Sequence, residues 1–243
     1  MAELSATKKA ESEAVKHFIS KTEDTSSEIC SVAILENDTV IVENSLNDGK
    51  THSENLMTIM ENTLEENKIK LNDIDLIACS VGPGSFTGIR IGVSSIKAIA
   101  EVLDVPVAAV TSLETLAKNV ESKNATIVSL IDAKNDQVYA GIFDDEYNKK
   151  EEYIADSIYT VIERLKVYEN IIFVGNGAVK YKELLEENLG MIVFSENNMQ
   201  SASCVGKIGY KKHKEKDLAS ADTIMPMYLR KSQAERMKKE KGA

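Results

Sequence analysis

Apolar and polar positions along this chain change rhythm several times, and each change marks an element. From Ile29 to Val42 two apolar runs flank the polar triplet Glu36-Asn37-Asp38, which predicts two strands joined by a hairpin turn. Thr51-His52-Ser53-Glu54 has the spacing of a capping box, with Thr51 as cap and Glu54 three residues on. A helix is predicted over 54–66, with Leu56, Met57, Ile59, Met60 and Leu64 on one face. A strand over 75–81 runs into a turn holding Gly82, Pro83, Gly84 and Gly88, and helical spacing resumes over 89–103. Val105 to Val110 predicts another strand, and Thr111-Ser112-Leu113-Glu114 repeats the capping box. The second half restarts with strands over 125–132 and 137–143 around the turn Ala133-Lys134-Asn135-Asp136. A helix near 157–168, a strand over 171–174, a helix over 178–187 and a strand over 191–194 follow. Each half runs hairpin first, then helix and strand, which predicts an α/β protein of two related lobes with mixed sheets and a boundary near 110–120.

The strand, glycine turn and helix around Gly82 and Gly84 aim backbone N–H groups and a helix N-terminus at one spot, which suits a phosphate. The turn is not a P-loop, because Ile89-Arg90 follows Gly88 where Lys and Ser or Thr belong. It is also one residue longer than the G-x-G-x-x-G dinucleotide turn. The competing reading is a packing joint in which glycine permits positive φ or close backbone approach.

Composition narrows the classes further. The net charge of -10 argues against a general nucleic-acid binder, whose footprint is a basic excess. The basic stretch over 229–243 is either a contact for RNA phosphates or a solvated terminus. Cys30, Cys79 and Cys204 are odd in number and far apart, as expected of buried thiols in a reducing cytoplasm rather than a zinc site. No run reaches membrane-spanning length and residues 1–20 lack a signal-peptide core, so a cytoplasmic location is expected.

Several segments, taken in order, resemble the TsaB (YeaZ) family: Asp24-Thr25-Ser26-Ser27, His52-Ser53-Glu54, Gly82-Pro83-Gly84-Ser85-Phe86-Thr87-Gly88-Ile89-Arg90-Ile91-Gly92, Thr111-Ser112-Leu113-Glu114, Ile131-Asp132-Ala133 and Pro226-Met227-Tyr228-Leu229-Arg230. The resemblance spans about residues 24–230. It implies two actin/Hsp70-like (ribonuclease H-like) lobes. It also implies a non-catalytic role supporting the paralogue TsaD in making N6-threonylcarbamoyladenosine at position 37 of tRNAs reading codons that begin with A. The ATPase TsaE is the implied third member, a homodimer the implied state when alone, and tRNA is met only through the complex. No cofactor is expected to be tightly bound, with ATP or ADP a candidate at the TsaD junction. The implied organisation is a polar extension over 1–23, lobes over 24–112 and 113–225, and a basic tail over 226–243.

Two enzymatic readings compete with it. A peptidase of the M22 type, like the catalytic paralogue, needs a His-x-x-x-His pair on the helix over 52–66, and Leu56 stands where the second histidine belongs. An autonomous ATPase or phosphotransferase of this fold needs glycine-flanked acids in both lobes; here Asp24 and Asp132 lack those glycines. Asp24, Thr25, Ser26, Gly82 and Gly84 are the candidate nucleotide contacts, and no metal ligand or catalytic residue is assigned. Helix faces with methionines and small residues suit partner helices. The candidate partner contacts are therefore His52, Leu56, Met57, Met60, Arg90, Gly92 and Ile96. The competing use of both faces is to cover the lobe's own sheet. The family's apolar first strand is replaced by Ile19-Ser20-Lys21-Thr22-Glu23, which leaves that strand's place in question.

Overall fold

A computed structural model of the chain describes residues 18–23, 30–46 and 52–230, with backbone alone for 18–23, 46 and 52–55. The first sheet holds β1 (Phe18–Glu23), β2 (Cys30–Glu36), β3 (Thr39–Leu46), β4 (Leu76–Ser80) and β5 (Val107–Val110) in the order β3-β2-β1-β4-β5. Both hairpin pairs are antiparallel, and β4 lies parallel to β1 and to β5. The second sheet holds β6 (Thr126–Asp132), β7 (Gln137–Phe143), β8 (Ile154–Ser157), β9 (Ile171–Val174) and β10 (Ile192–Phe194) in the order β10-β9-β6-β7-β8. Its antiparallel and parallel pairs repeat the first sheet's in sequence order. Two copies of one topology underlie the two halves expected from the pattern.

The helices are α1 (His52–Glu66), α2 (Phe86–Leu103), α3 (Ser112–Ala117), α4 (Ile158–Leu165), α5 (Asn176–Lys180), α6 (Lys182–Asn188) and α7 (Ala202–Glu215). Strand β2 is a nearly unbroken apolar run because both its faces are covered. Cys30, Val32 and Ile34 face α1 and α2, whereas Ala33 and Leu35 face α7. In the second lobe Val128, Leu130, Val138 and Ala140 pack with α4, while Ile127, Ile131 and Phe143 pack with Leu113 and Leu116 of α3.

Three expectations need correction. Residues 18–23 are not part of a polar extension: β1 is the central strand of the first sheet, paired with β2 along its length and with β4 over 18–21. A polar sequence still forms a strand here because both neighbours satisfy its backbone groups. The second lobe does not run on to 225. Helix α7 lies on the first sheet, where Ala202, Val205 and Tyr210 pack against Leu35, Ala78 and Val110. After it, Ala219 bonds Val107 in both directions (2.9 and 2.8 Å), and Ala221 and Ile224 enter the core beneath α1 and α2. The second helix also starts at Phe86 rather than 89, since the Ser85 hydroxyl caps it by accepting from the Gly88 N–H at 3.3 Å. The capping box of Thr51 and Glu54 lies outside the described side chains. That of Thr111 and Glu114 is formed, with both reciprocal bonds present (3.1 and 2.6 Å).

Candidate partner-binding face and interlobe joint

Helices α1 and α2 cover one face of the first sheet, and that duty decides which candidate contacts remain available. Leu56 and Ile96 are wholly buried, and Met60 and Gly92 are buried with them. They belong to the lobe's own core, against Cys30, Val32 and Ile77. Exposing any one of the three larger side chains to reach a partner would forfeit about 1.5–3 kcal/mol, so the expectation that they touch a partner is corrected. Met57 and Arg90 do point outward, Met57 with 54% of its surface exposed. The side chain of His52, at the start of α1, lies outside the described residues. On α2 the outward row is Arg90, Ser94, Ala98, Glu101 and Val102, with Ile91 and Ser95 half-buried beside it. The small residues at its middle leave room for a helix backbone to approach.

At the start of α2 Arg90 is held in place. Its Nε donates to the Tyr228 hydroxyl at 2.8 Å. Its guanidinium lies over the rings of Phe86 and Tyr228, which are themselves stacked 5.0 Å apart. Sequence reading singled out Arg90 but missed Tyr228, because the contact spans 138 positions and no local pattern announces it.

The glycine turn serves as the joint between the lobes. Gly82 is buried with φ +103°, and a Cβ there would stand 2.7 Å from the Ile89 Cδ1 and 3.1 Å from the Met227 carbonyl oxygen. Its carbonyl accepts from the Ser112 N–H at 2.8 Å, fixing the first helix of the second lobe. On the neighbouring strand end, the Met227 N–H donates to the Val81 carbonyl at 2.7 Å. Gly82 thus meets the packing requirement that competed with phosphate binding; Gly84 is half-buried in the same turn. Asp24, Thr25 and Ser26 lie outside the described residues.

In the second lobe the matching acid is already engaged. Asp132 accepts from Lys180 Nζ at 2.9 Å and from the Lys134 N–H at 3.0 Å, with Lys134 Nζ 3.5 Å away. Burial pushes its carboxyl upward, but the Lys180 hydrogen bond, the Lys134 N–H and both ammonium charges outweigh this and hold it below the usual carboxylate range. The Asn176 amide oxygen accepts from the Asp132 N–H at 2.9 Å, and a Cβ on Gly175 would stand 2.3 Å from the Leu130 carbonyl oxygen. Gly175 and Asn176 are therefore accounted for by packing against β6. Among the described residues no three His, Cys, Asp or Glu side chains are grouped to hold a metal, and no helix is long and apolar enough to cross a membrane.

Two five-stranded lobes of one topology, joined at a glycine turn and covered by helices, make up the two-lobe actin/Hsp70-like fold. The solved structure of YeaZ from Pseudomonas aeruginosa shares this fold, with a TM-score of 0.73 over 87% of this chain and all of that one, at 24% identity. A family model described as TsaD, tRNA N6-adenosine threonylcarbamoyltransferase, matches residues 44–238. The chain is 32% identical over 216 residues to the tRNA threonylcarbamoyladenosine biosynthesis protein TsaB of Bacillus subtilis (strain 168), covering 87% of this chain and 94% of that protein. It is 27% identical over 222 residues to the protein of the same name from Escherichia coli (strain K12), covering 87% and 94%. The chain belongs to the family of that model and, within it, to the TsaB (YeaZ) proteins.

Proposed function

We propose that this protein is a non-catalytic subunit that supports a TsaD-type transferase in forming N6-threonylcarbamoyladenosine on tRNA. The observation that carries the reading is the near full-length likeness to TsaB of Bacillus subtilis, 32% identical over 94% of that protein. The side chains support it. Leu56, at the position where the paralogue's second histidine would stand, is wholly buried in the core. Asp132, the acid an ATPase of this fold would turn to a metal ion, is paired with two lysines. On this reading Asp132 is not a metal ligand, the junction with the partner is the candidate place for ATP or ADP, and TsaE-type and tRNA contacts arise through the complex.

The outward row of α2, with Met57 of α1 beside it, is the surface we assign to the partner; paired with two partner helices it completes a four-helix bundle. Ala98 is exposed near the middle of that row and makes no core contact, so it tests the face without disturbing the lobe. Ala98→Arg is expected to abolish co-elution with the TsaD-type protein of the same organism and to leave the circular dichroism spectrum and melting temperature unchanged. Co-elution of the variant at wild-type yield would overturn the assignment of this face.

A further inference from the structure

A cleft of about 820 Å³ opens between the lobes, with α7 of the first on one side and, from the second, the segment after α3 and the turn after β7 on the other. Its volume falls within the roughly 300–1,000 Å³ of small-molecule sites. It is not the place where an ATPase of this fold would put its metal ion: the Asp132 turn lies at one end of β7 and the cleft-lining turn at the other, about 20 Å away. It is also remote from the partner face, since α7 packs on the sheet side opposite α1 and α2.

Charge is answered unevenly along this cleft. Toward the C-terminus of α7, Lys212 lies 3.7 Å from Glu114 and 3.2 Å from Asp217. Lys149 is taken by Glu152 at 2.8 Å, and Lys211 meets Glu215 only in a long, exposed pair of 3.9 Å. Lys207, one turn before Lys211, and Lys118, across the cleft, form no ion pair among the described residues. Lys118 is half-buried, with its Nζ 3.9 Å from the centre of the Tyr147 ring. Burial holds its ammonium below the ordinary pKa, and the charges of Lys207 and Lys211 push the same way; Cys204 and Glu121 oppose them without restoring it. Burial also pushes the Cys204 thiol up, so at neutral pH it offers these lysines no countercharge. The other lining carboxylates, Glu121, Asp38 and Glu146, are exposed to screening by solvent.

The wall that faces α7 is fixed in shape. Asp144 accepts from the N–H groups of Glu146 and Asn148 at 3.0 and 2.8 Å. Tyr147 is held at φ +66°, and its hydroxyl donates to the Val120 carbonyl at 2.9 Å. A left-handed backbone is uncommon for an aromatic residue, and here it sets the ring against Lys118. Exposed carboxylates at the rim and a net charge of -10 work against a long polyanion, so the anion that suits these lysines is compact.

We propose that Lys118, Lys207 and Lys211 form a binding site for a compact anion with two or more linked phosphate groups. Ammonium groups from both walls donate to its oxygens, and the anion relieves the repulsion among them. Lys118 belongs to the second lobe, and Lys207 and Lys211 to the first, so the bound anion fastens one lobe to the other. The site does not depend on the partner reading above and is tested on this chain alone.

The probe is inorganic triphosphate, titrated calorimetrically into the full-length chain at about 50 mM NaCl, with the melting temperature followed alongside. One anion per chain is expected to bind and to raise the melting temperature, and ATP is expected to bind about as tightly, because phosphate groups alone are recognised. K207Q and K118Q, one from each lobe, are each expected to weaken binding about tenfold, whereas K182Q, outside the cleft, leaves it unchanged. Lys207 is exposed, so its variant keeps the test valid even if K118Q disturbs the Tyr147 turn. Absence of triphosphate binding, binding of tRNA or ATP without triphosphate, or equal affinity in wild type and K207Q would overturn the site. A K118Q variant that folds as wild type and binds with wild-type affinity would overturn the bridge between the lobes.

Discussion

Asp132 shows how a position shared by an enzymatic fold is put to structural use. Its side chain is only 9% exposed, and it is held by Lys180 at 2.9 Å and by the backbone of Lys134 at 3.0 Å. A carboxyl whose pKa is depressed on folding contributes stability that is fully present above its unfolded value near 3.8 and is lost as pH falls through its folded value. Asp132→Asn is therefore expected to lower the unfolding free energy at pH 7 by about 1–2 kcal/mol, a range that allows for screening of the half-exposed Lys180. The gap between variant and wild type is expected to narrow as pH falls below 3.8, toward the folded value. Urea midpoints at neutral and at low pH check both parts, and a gap unchanged at low pH would show that the ion pair is not its source.

Among the elements, legibility in the sequence followed how many residues an element needs to declare itself. Helix α2 and strands β2, β4, β6 and β7 carry long apolar patterns, and their places agree with the pattern to within a few residues. Helix α7 was not legible. Its buried face is Ala202, Val205, Gly206, Gly209 and Tyr210, a helical stripe built from small residues amid lysines and two glycines of low helix propensity. The same smallness explains its fit, since a Cβ on Gly209 would stand 2.5 Å from the Ala78 Cβ and 3.3 Å from the Ala108 Cβ. Gly209→Val is expected to lift the helix from the sheet and cost about 2–3 kcal/mol, read from urea unfolding, although valine itself is apolar. A variant as stable as wild type would mean that α7 tolerates displacement. The place of strand β1 was left in question for the opposite reason: its sequence is largely polar, and only its pairing on both sides makes it central. The candidate contacts were legible only as a stripe: periodicity does not say which side of it the sheet will claim, and Leu56, Met60, Gly92 and Ile96 turn out to lie on the sheet's side.

Over the described residues the chain is folded back on itself: it runs from the first lobe into the second and returns to finish the first. The second lobe is continuous in sequence, with α3 and all strands of its sheet between 112 and 194. The first lobe needs α7 on one face and residues 219–224 on the other. The last segment then spans the joint, with Met227 packed on the core of the first lobe and Leu229 on that of the second. A fragment of residues 111–199 is therefore expected to unfold cooperatively on its own, because it carries a complete sheet covered on both faces. A fragment ending at 199 but containing the first lobe's strands is expected to leave Leu35, Leu76 and Val110 uncovered, and to lose partner binding with its fold. That loss would occur although α7 packs on the sheet face opposite α1 and α2. Calorimetry of the two fragments, with partner co-elution of the longer one, checks the claim. If the longer fragment bound at wild-type affinity, the partner face would be shown to hold its shape without the C-terminal return, and the coupling of the two sheet faces argued from the core would be wrong.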